Sequence, residues 1–199
     1  MLTDSQMETL AGKMSVPLVD CLFKDQMPKT FEYNKSYVIN LEDEFKEDGT
    51  LNVGSHWTCL QVNKYPNGKV ESMYFDAYGC APPTDVLKCF KRTTGKEHMP
   101  YNTKDIQSLM ANCCGYFCLA YLHYINAFPN RTKNLYDDTD CFLSFFDDLN
   151  KSIDFKKNEY ILKQFFEAKD PTLRRKIEVV GGDNDRIVES DDRPDLMKV

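Results

Sequence analysis

Runs of apolar residues divide the chain into a few predicted elements. Residues 3–14 show a short helical pattern that Thr3 or Asp4 would cap. Residues 37–41 (YVINL) form a short apolar run, which is typical of a buried strand. Residues 138–168 carry apolar side chains at helical spacing and predict two amphipathic helices. The pattern therefore predicts a fold that mixes strands and helices.

Two runs of β-forming residues, 56–65 and 69–76, flank a turn. The turn sequence Pro-Asn-Gly at 66–68 contains Asn-Gly, which is a strong hairpin signal. A hairpin centred there brings His56, at the start of one strand, and Asp76, at the end of the other, to the same end of the sheet. The register of the two strands, and so the direction in which both side chains face, stays open at this point.

Residues 113–128 are almost wholly apolar, and a helix that is apolar on every side lies buried inside a domain. Asn112 would cap this helix and Pro129 would end it. Cys113 and Cys114 therefore stand at its N-terminus. The positive end of the helix dipole favours a thiolate there, which makes these cysteines candidate nucleophiles.

The composition indicates a single domain with a tail. A chain of 199 residues can bury a substantial core, and 42% of its residues are hydrophobic. Its formal charge of −6 gives it no overall attraction to nucleic acid. Beyond residue 178 the sequence turns acidic, with few large apolar residues. We therefore predict a domain at 1–178 and a mobile acidic tail at 179–199.

The eight cysteines are expected to be free thiols. The N-terminus lacks the basic and apolar regions of a secretory signal, and no run approaches the ~18 to 20 apolar residues of a membrane span. We therefore expect a protein that is not secreted and that works in a reducing compartment. The spacing of Cys113, Cys114 and Cys118 lacks the CxxC pairs of a structural zinc site, so no metal is expected.

A nucleophilic cysteine needs a base, and the chain has three histidines. His123 lies nine residues from Cys114 in the same predicted helix, too far along it to reach the thiol. His98 lies in a polar segment without an obvious partner. His56 is the predicted base because the hairpin supplies Asp76 to orient it.

Four short motifs occur in a characteristic order along the chain. They are GSHW at 54–57, FDAYG at 75–79, Gln107, and CGYFC at 114–118. In this order, and with the glutamine seven residues before Cys114, they resemble the adenain family of adenovirus-type maturation cysteine proteases. The wider relatives are the proteases that process ubiquitin-like modifiers. The resemblance spans about residues 5–170, loosely outside the motifs.

The resemblance implies an α+β fold, with a small mixed or antiparallel sheet packed on helices and a buried central helix that begins at the nucleophile. It assigns Cys114 as nucleophile, His56 as general base and later acid, and Asp76 as the residue that fixes the imidazole tautomer. Gln107 and the backbone N–H of Cys114 would form the oxyanion hole. Such donors are worth roughly 3 to 4 kcal/mol of barrier.

Two further residues are predicted to border the substrate. Trp57 borders the active site in the family, although on its own it is a typical core residue. Gly115 would leave room for a substrate backbone beside the sulfur. The substrates implied are capsid and other structural precursors of a DNA virus, virophage or related mobile element, cut at Gly-rich sites during virion maturation. The protein would act as a monomer in the virion and in the cytoplasm or nucleus of the infected cell.

Members of the family are activated by DNA and by a peptide that is disulfide-linked to a cysteine shortly before the glutamine. Residues 93–104 contain no cysteine, so this chain departs from that pattern and no cofactor is expected. The apolar-Gly-Gly sequence that ends at Gly182 could be a self-cleavage site, or it could be a flexible hinge.

Several alternatives stay open. The chain could process a ubiquitin-like modifier, which also ends in Gly-Gly. It could be a non-catalytic interaction module of the same fold, or a thiol-rich redox or metal protein. Cys113 could attack in place of Cys114, although the spacing to Gln107 and the glycine that follows favour Cys114.

Overall fold

A computed structural model of the chain describes residues 2–52, 55–109, 111–127, 134–149 and 155–169. The helices are α1 (Asp4–Lys13), α2 (Thr84–Thr94), α3 (Cys114–Ala127), α4 (Leu135–Leu143) and α5 (Phe155–Lys169), with a 3-10 turn at Lys24–Gln26. The strands are β1 (Leu18–Phe23), β2 (Lys35–Asn40), β3 (Trp57–Lys64) and β4 (Val70–Phe75). The predicted α+β class is confirmed.

The four strands form one mixed sheet in the order β1-β2-β3-β4. β1 pairs with β2 in parallel, and the two other pairs are antiparallel. The predicted hairpin is confirmed as β3 and β4. Its turn is closed by a hydrogen bond from the Tyr65 N–H to the Lys69 carbonyl, and Gly68 has a φ of 81°, which glycine adopts without a steric penalty.

Helices cover both faces of the sheet. On one face, Cys59 of β3 and Phe75 of β4 join a core with α1, α3, α4 and α5. On the other face, Leu60 and Tyr74 pack with Phe90 of α2. Because β3 lies between two layers, its first six residues are all buried instead of alternating between buried and exposed positions.

Some element boundaries differ from the prediction. The capping box of Thr3 and Gln6 confirms the start of α1. The central helix α3 begins at Cys114, so Cys113, and not Asn112, directly precedes its first residue. Helix α4 begins earlier than expected because the Asn134 side chain accepts a hydrogen bond from the Asp137 N–H and caps it.

Other predictions lie outside the described residues. These are the tail at 179–199 and the possible cleavage site at Gly182. Within the described ranges, the structure contains no helix of the length and apolarity that a membrane crossing requires.

Candidate functional site

His56 and Asp76 meet at one end of the β3–β4 hairpin. His56 directly precedes β3, and Asp76 directly follows β4. His56 Nε2 lies 2.7 Å from Asp76 Oδ1. The side chain of Asp76 is only 1% exposed, and that of His56 is 12% exposed. The prediction that the hairpin brings these two side chains together is confirmed.

The Asp76 carboxylate is held by its own loop and by a later segment. Its Oδ1 also accepts a hydrogen bond from the Tyr78 N–H at 2.8 Å. The side chain of Asn102 accepts from the Asp76 N–H at 2.9 Å and donates to the Asp76 carbonyl at 2.7 Å. Asn102 was not among the predicted residues. It fixes the main chain of Asp76, and thereby the position of the carboxylate.

The pKa of His56 results from opposing influences. Burial lowers it, but interactions with the Asp76 carboxylate and with Cys114 raise it more and bring it to about 9. Nε2 is the ring nitrogen that contacts Asp76, so Nδ1 remains for a second partner. At neutral pH the imidazole is therefore protonated, and both neighbours favour its charge.

Cys114 is the first residue of α3 and is 2% exposed. A side chain at this position lies near the positive end of the helix dipole. Cys113, immediately before it, is equally buried at 2% exposure. Of these two cysteines, Cys114 is the one whose interaction with His56 raises the pKa of that imidazole. This interaction distinguishes the two neighbouring cysteines.

Gln107 lies in the segment that runs between α2 and α3, and it is 1% exposed. The Ile106 N–H donates to the Ala77 carbonyl at 2.8 Å, which ties this segment to the loop after β4. Gln107 Nε2 donates to the Tyr78 hydroxyl at 3.0 Å and to the Ala111 carbonyl at 3.1 Å. Gln107 thus joins the His56 group through Tyr78.

Tyr78 is the residue that connects the parts of this site. Its ring stacks on the His56 imidazole, with centroids 4.4 Å apart and planes inclined by 24°. Both residues lie at the same end of the hairpin, because His56 directly precedes β3 and Tyr78 lies in the turn that follows β4. Tyr78 belongs to the FDAYG motif at 75–79, but no role was predicted for it from the sequence.

Trp57 and Gly115 both face the N-terminal segment. The Trp57 indole N–H donates to the Leu2 carbonyl at 2.9 Å, and Trp57 is 1% exposed. A Cβ on Gly115 would lie 2.8 Å from Met7 Sδ. The packing of α1 against α3 therefore accounts for the glycine. Contact of either residue with a substrate stays a prediction.

The other two histidines have different surroundings from His56. His98 is exposed. His123 Nδ1 contacts the Met14 carbonyl at 2.9 Å, and its burial lowers its pKa. All eight cysteines are free thiols. In the described part of the chain, no cluster of three or more His, Cys, Asp or Glu side chains could hold a metal ion.

Comparison with known proteins adds no identity: no protein-family model matches the chain, and no curated protein matches it. The chemistry assigned to this site therefore rests on the arrangement of its residues. A buried carboxylate contacts an imidazole, and a cysteine at a helix N-terminus interacts with the same imidazole and raises its pKa. Such an arrangement can hold a thiolate beside a proton donor.

Proposed function

We propose that this protein is a cysteine endopeptidase. In it Cys114 is the nucleophile, His56 is the general base and then the general acid, and Asp76 orients the imidazole. The observation that carries the proposal is the 2.7 Å contact between Asp76 Oδ1 and His56 Nε2, together with the interaction by which Cys114 raises the pKa of the same imidazole. An imidazolium and a helix N-terminus are the two neighbours that favour a reactive thiolate.

The arrangement supports acyl transfer in two steps. In the first, the Cys114 thiolate attacks the peptide carbonyl carbon, and the carbonyl electron pair moves to oxygen. The His56 proton then passes to the leaving amine as the C–N bond breaks, and a thioester remains. In the second, water loses a proton to His56 and attacks the thioester carbon; the C–S bond breaks, the acid product leaves, and the Cys114 thiolate and the protonated His56 are restored.

The substrate class rests on the resemblance of the four motifs to the adenain family, with which the observed α+β class is compatible. On that basis the protein has the adenain-like fold and cleaves viral structural precursors at Gly-rich sites in the virion or infected cell. Processing of a ubiquitin-like modifier is the alternative within the same chemistry. Incubation with capsid precursors and with ubiquitin-like fusions separates the two.

The first experiment compares wild type, Cys114→Ala and Cys113→Ala on a fluorogenic peptide that ends in Leu-X-Gly-Gly, with iodoacetamide labelling in parallel. The proposal requires that Cys114→Ala abolish both cleavage and fast labelling. Cys113→Ala is the matched control, because it removes an adjacent thiol with the same burial. If wild-type Cys114 reacts no faster than an ordinary thiol, the catalytic assignment is wrong.

One observation favours a second function. Cys114 is 2% exposed, which would suit a non-catalytic interaction module that kept the fold. The labelling experiment decides between the two, because an interaction module has no need for a thiol that reacts quickly. Fast labelling without cleavage would instead indicate a competent site tested on the wrong peptide.

A further inference from the structure

Both N–H groups of the Gln107 amide are already used. A primary amide nitrogen carries two hydrogens, and here one points to the Tyr78 hydroxyl and the other to the Ala111 carbonyl. Turning the amide over would place Oε1 about where Nε2 now lies, near the Ala111 carbonyl oxygen, and two acceptors would face each other. The orientation in the structure avoids that clash at the cost of leaving Oε1 buried without a hydrogen-bond partner among the described residues. It leaves Gln107 without a free donor for a substrate.

The Tyr78 hydroxyl is the next donor in this chain of hydrogen bonds. Its oxygen accepts from Gln107, and in the described part of the structure its own hydrogen is not committed to any acceptor. Burial and then the negative charge of Cys114 raise the pKa of Tyr78, so the phenol keeps its hydrogen through the neutral range. Among the charges that act on this phenol, that of Cys114 has the largest effect.

The phenol is also rigidly placed. Its ring stacks on His56 at a centroid distance of 4.4 Å, and its backbone N–H donates to Asp76 Oδ1. Donors that are fixed before the reaction stabilise developing charge without reorganisation. The Tyr78 hydroxyl meets that condition, because contacts with both His56 and Asp76 hold the residue in place.

We infer that the Tyr78 O–H, rather than the Gln107 amide, donates the side-chain hydrogen bond to the oxyanion formed when Cys114 attacks. The inference rests on the proposed endopeptidase function. In the attack the sulfur–carbon bond forms and the carbonyl electron pair moves to oxygen, which accepts the Tyr78 hydrogen bond without taking the proton. The Gln107 N–H polarises the phenol from behind, because linked hydrogen bonds strengthen one another.

The test is Tyr78→Phe, which removes the hydroxyl and keeps the ring on His56. Loss of an oxyanion donor lowers kcat by about 10²- to 10³-fold. The affinity of a peptide aldehyde, which forms a tetrahedral hemithioacetal with Cys114 whose oxygen occupies the oxyanion position, should also fall. Alkylation of Cys114 by iodoacetamide creates no oxyanion, so its rate should not change. Unchanged alkylation also shows that the variant is folded.

Gln107→Ala and the double variant that combines it with Tyr78→Phe complete a double-mutant cycle. If Gln107 acts through Tyr78, the double variant should bind the aldehyde no more weakly than Tyr78→Phe alone. The inference is overturned if Tyr78→Phe keeps wild-type aldehyde affinity and kcat while Gln107→Ala loses them, since Gln107 would then donate directly. A wild-type Cys114 that iodoacetamide does not label quickly overturns the proposed function and this inference together.

Discussion

The side chain of Asn102 forms two hydrogen bonds with the main chain of Asp76, one to its carbonyl at 2.7 Å and one from its N–H at 2.9 Å. These two hydrogen bonds resemble those between paired strands, and they lie just beyond the end of β4. The segment around Asn102 continues the pattern, since the Tyr74 N–H donates to the Pro100 carbonyl. The carboxylate that orients His56 is thus positioned by a segment far from it in sequence.

Replacing Asn102 by Ala should weaken both the fold and the site. The change leaves two buried main-chain groups of Asp76 without partners, so the free energy of unfolding should fall by about 1 to 3 kcal/mol. Asn67→Ala is the control, because it removes one exposed side-chain bond to the Lys69 N–H. Urea unfolding measures both. An Asn102 variant no less stable than the Asn67 variant would contradict the role assigned to this pair.

The proposed activity should disappear as the pH rises through about 9. That is the pKa of His56, raised by Asp76 and Cys114 in spite of burial. Above it the imidazole is neutral and cannot protonate the leaving amine. Asp76→Asn removes the carboxylate, lowers this pKa and moves the alkaline limit to lower pH. Proton NMR titration of His56 and a pH profile of kcat measure the shift, and an identical alkaline limit in both proteins would refute the coupling.

The same pKa predicts a pH dependence of stability. The unfolded-state pKa of histidine is near 6.5, and the folded-state pKa of His56 is about 9. The folded protein therefore holds its proton more tightly, and this contribution is complete below about pH 6.5 and is lost as the pH rises to about 9. Urea midpoints for wild type should fall across that window more steeply than those for His56→Phe. Equal slopes would show that His56 has no raised pKa.

Gly79 allows the loop after β4 to approach the segment that carries Gln107. Its φ is +71°, and a Cβ there would lie 2.7 Å from the carbonyl carbon and oxygen of Thr103. Gly68 is a matched control, because its φ is +81° and nothing lies within 4 Å of a Cβ. Gly68→Ala should cost about 1 to 2 kcal/mol for the left-handed backbone. Gly79→Ala should cost about 1 to 3 kcal/mol more and reduce kcat, because the loop must move.

Thermal or urea unfolding of the two alanine variants provides the comparison. If Gly79→Ala and Gly68→Ala lose the same stability, the close approach to Thr103 has no energetic consequence. If they differ and kcat falls only in Gly79→Ala, the loop and the Gln107 segment act as one unit.

The sequence predicted those features whose causes are local. The Asn-Gly turn indicated the hairpin and hence the meeting of His56 with Asp76. The capping residues around Thr3 indicated α1. The apolar run indicated α3 with Cys114 at its start. In each case a few neighbouring residues determine the outcome through turn, cap or periodicity.

The features that were missed depend on contacts between distant segments. Strand β1 carries the polar Asp20 and owes its place to parallel pairing with β2, which no local pattern indicates. The role of Asn102 follows from its hydrogen bonds with Asp76, and that of Tyr78 from the contact of its ring with His56. The glycine at position 115 indicated that something approaches the chain closely there, but the sequence could not show that this neighbour is Met7.

Gly115 should tolerate alanine only when Met7 is made smaller. A Cβ at this position would lie 2.8 Å from Met7 Sδ, so Gly115→Ala should lower the free energy of unfolding by about 1 to 3 kcal/mol. Met7→Ala alone leaves a cavity and should cost about 2 to 5 kcal/mol. In the double variant the new methyl occupies part of that cavity, so the loss should be at least 0.5 kcal/mol less than the sum. Urea unfolding of the four proteins measures this coupling. A Gly115→Ala variant with wild-type stability and a raised KM for the Gly-Gly peptide would show instead that Gly115 contacts the substrate.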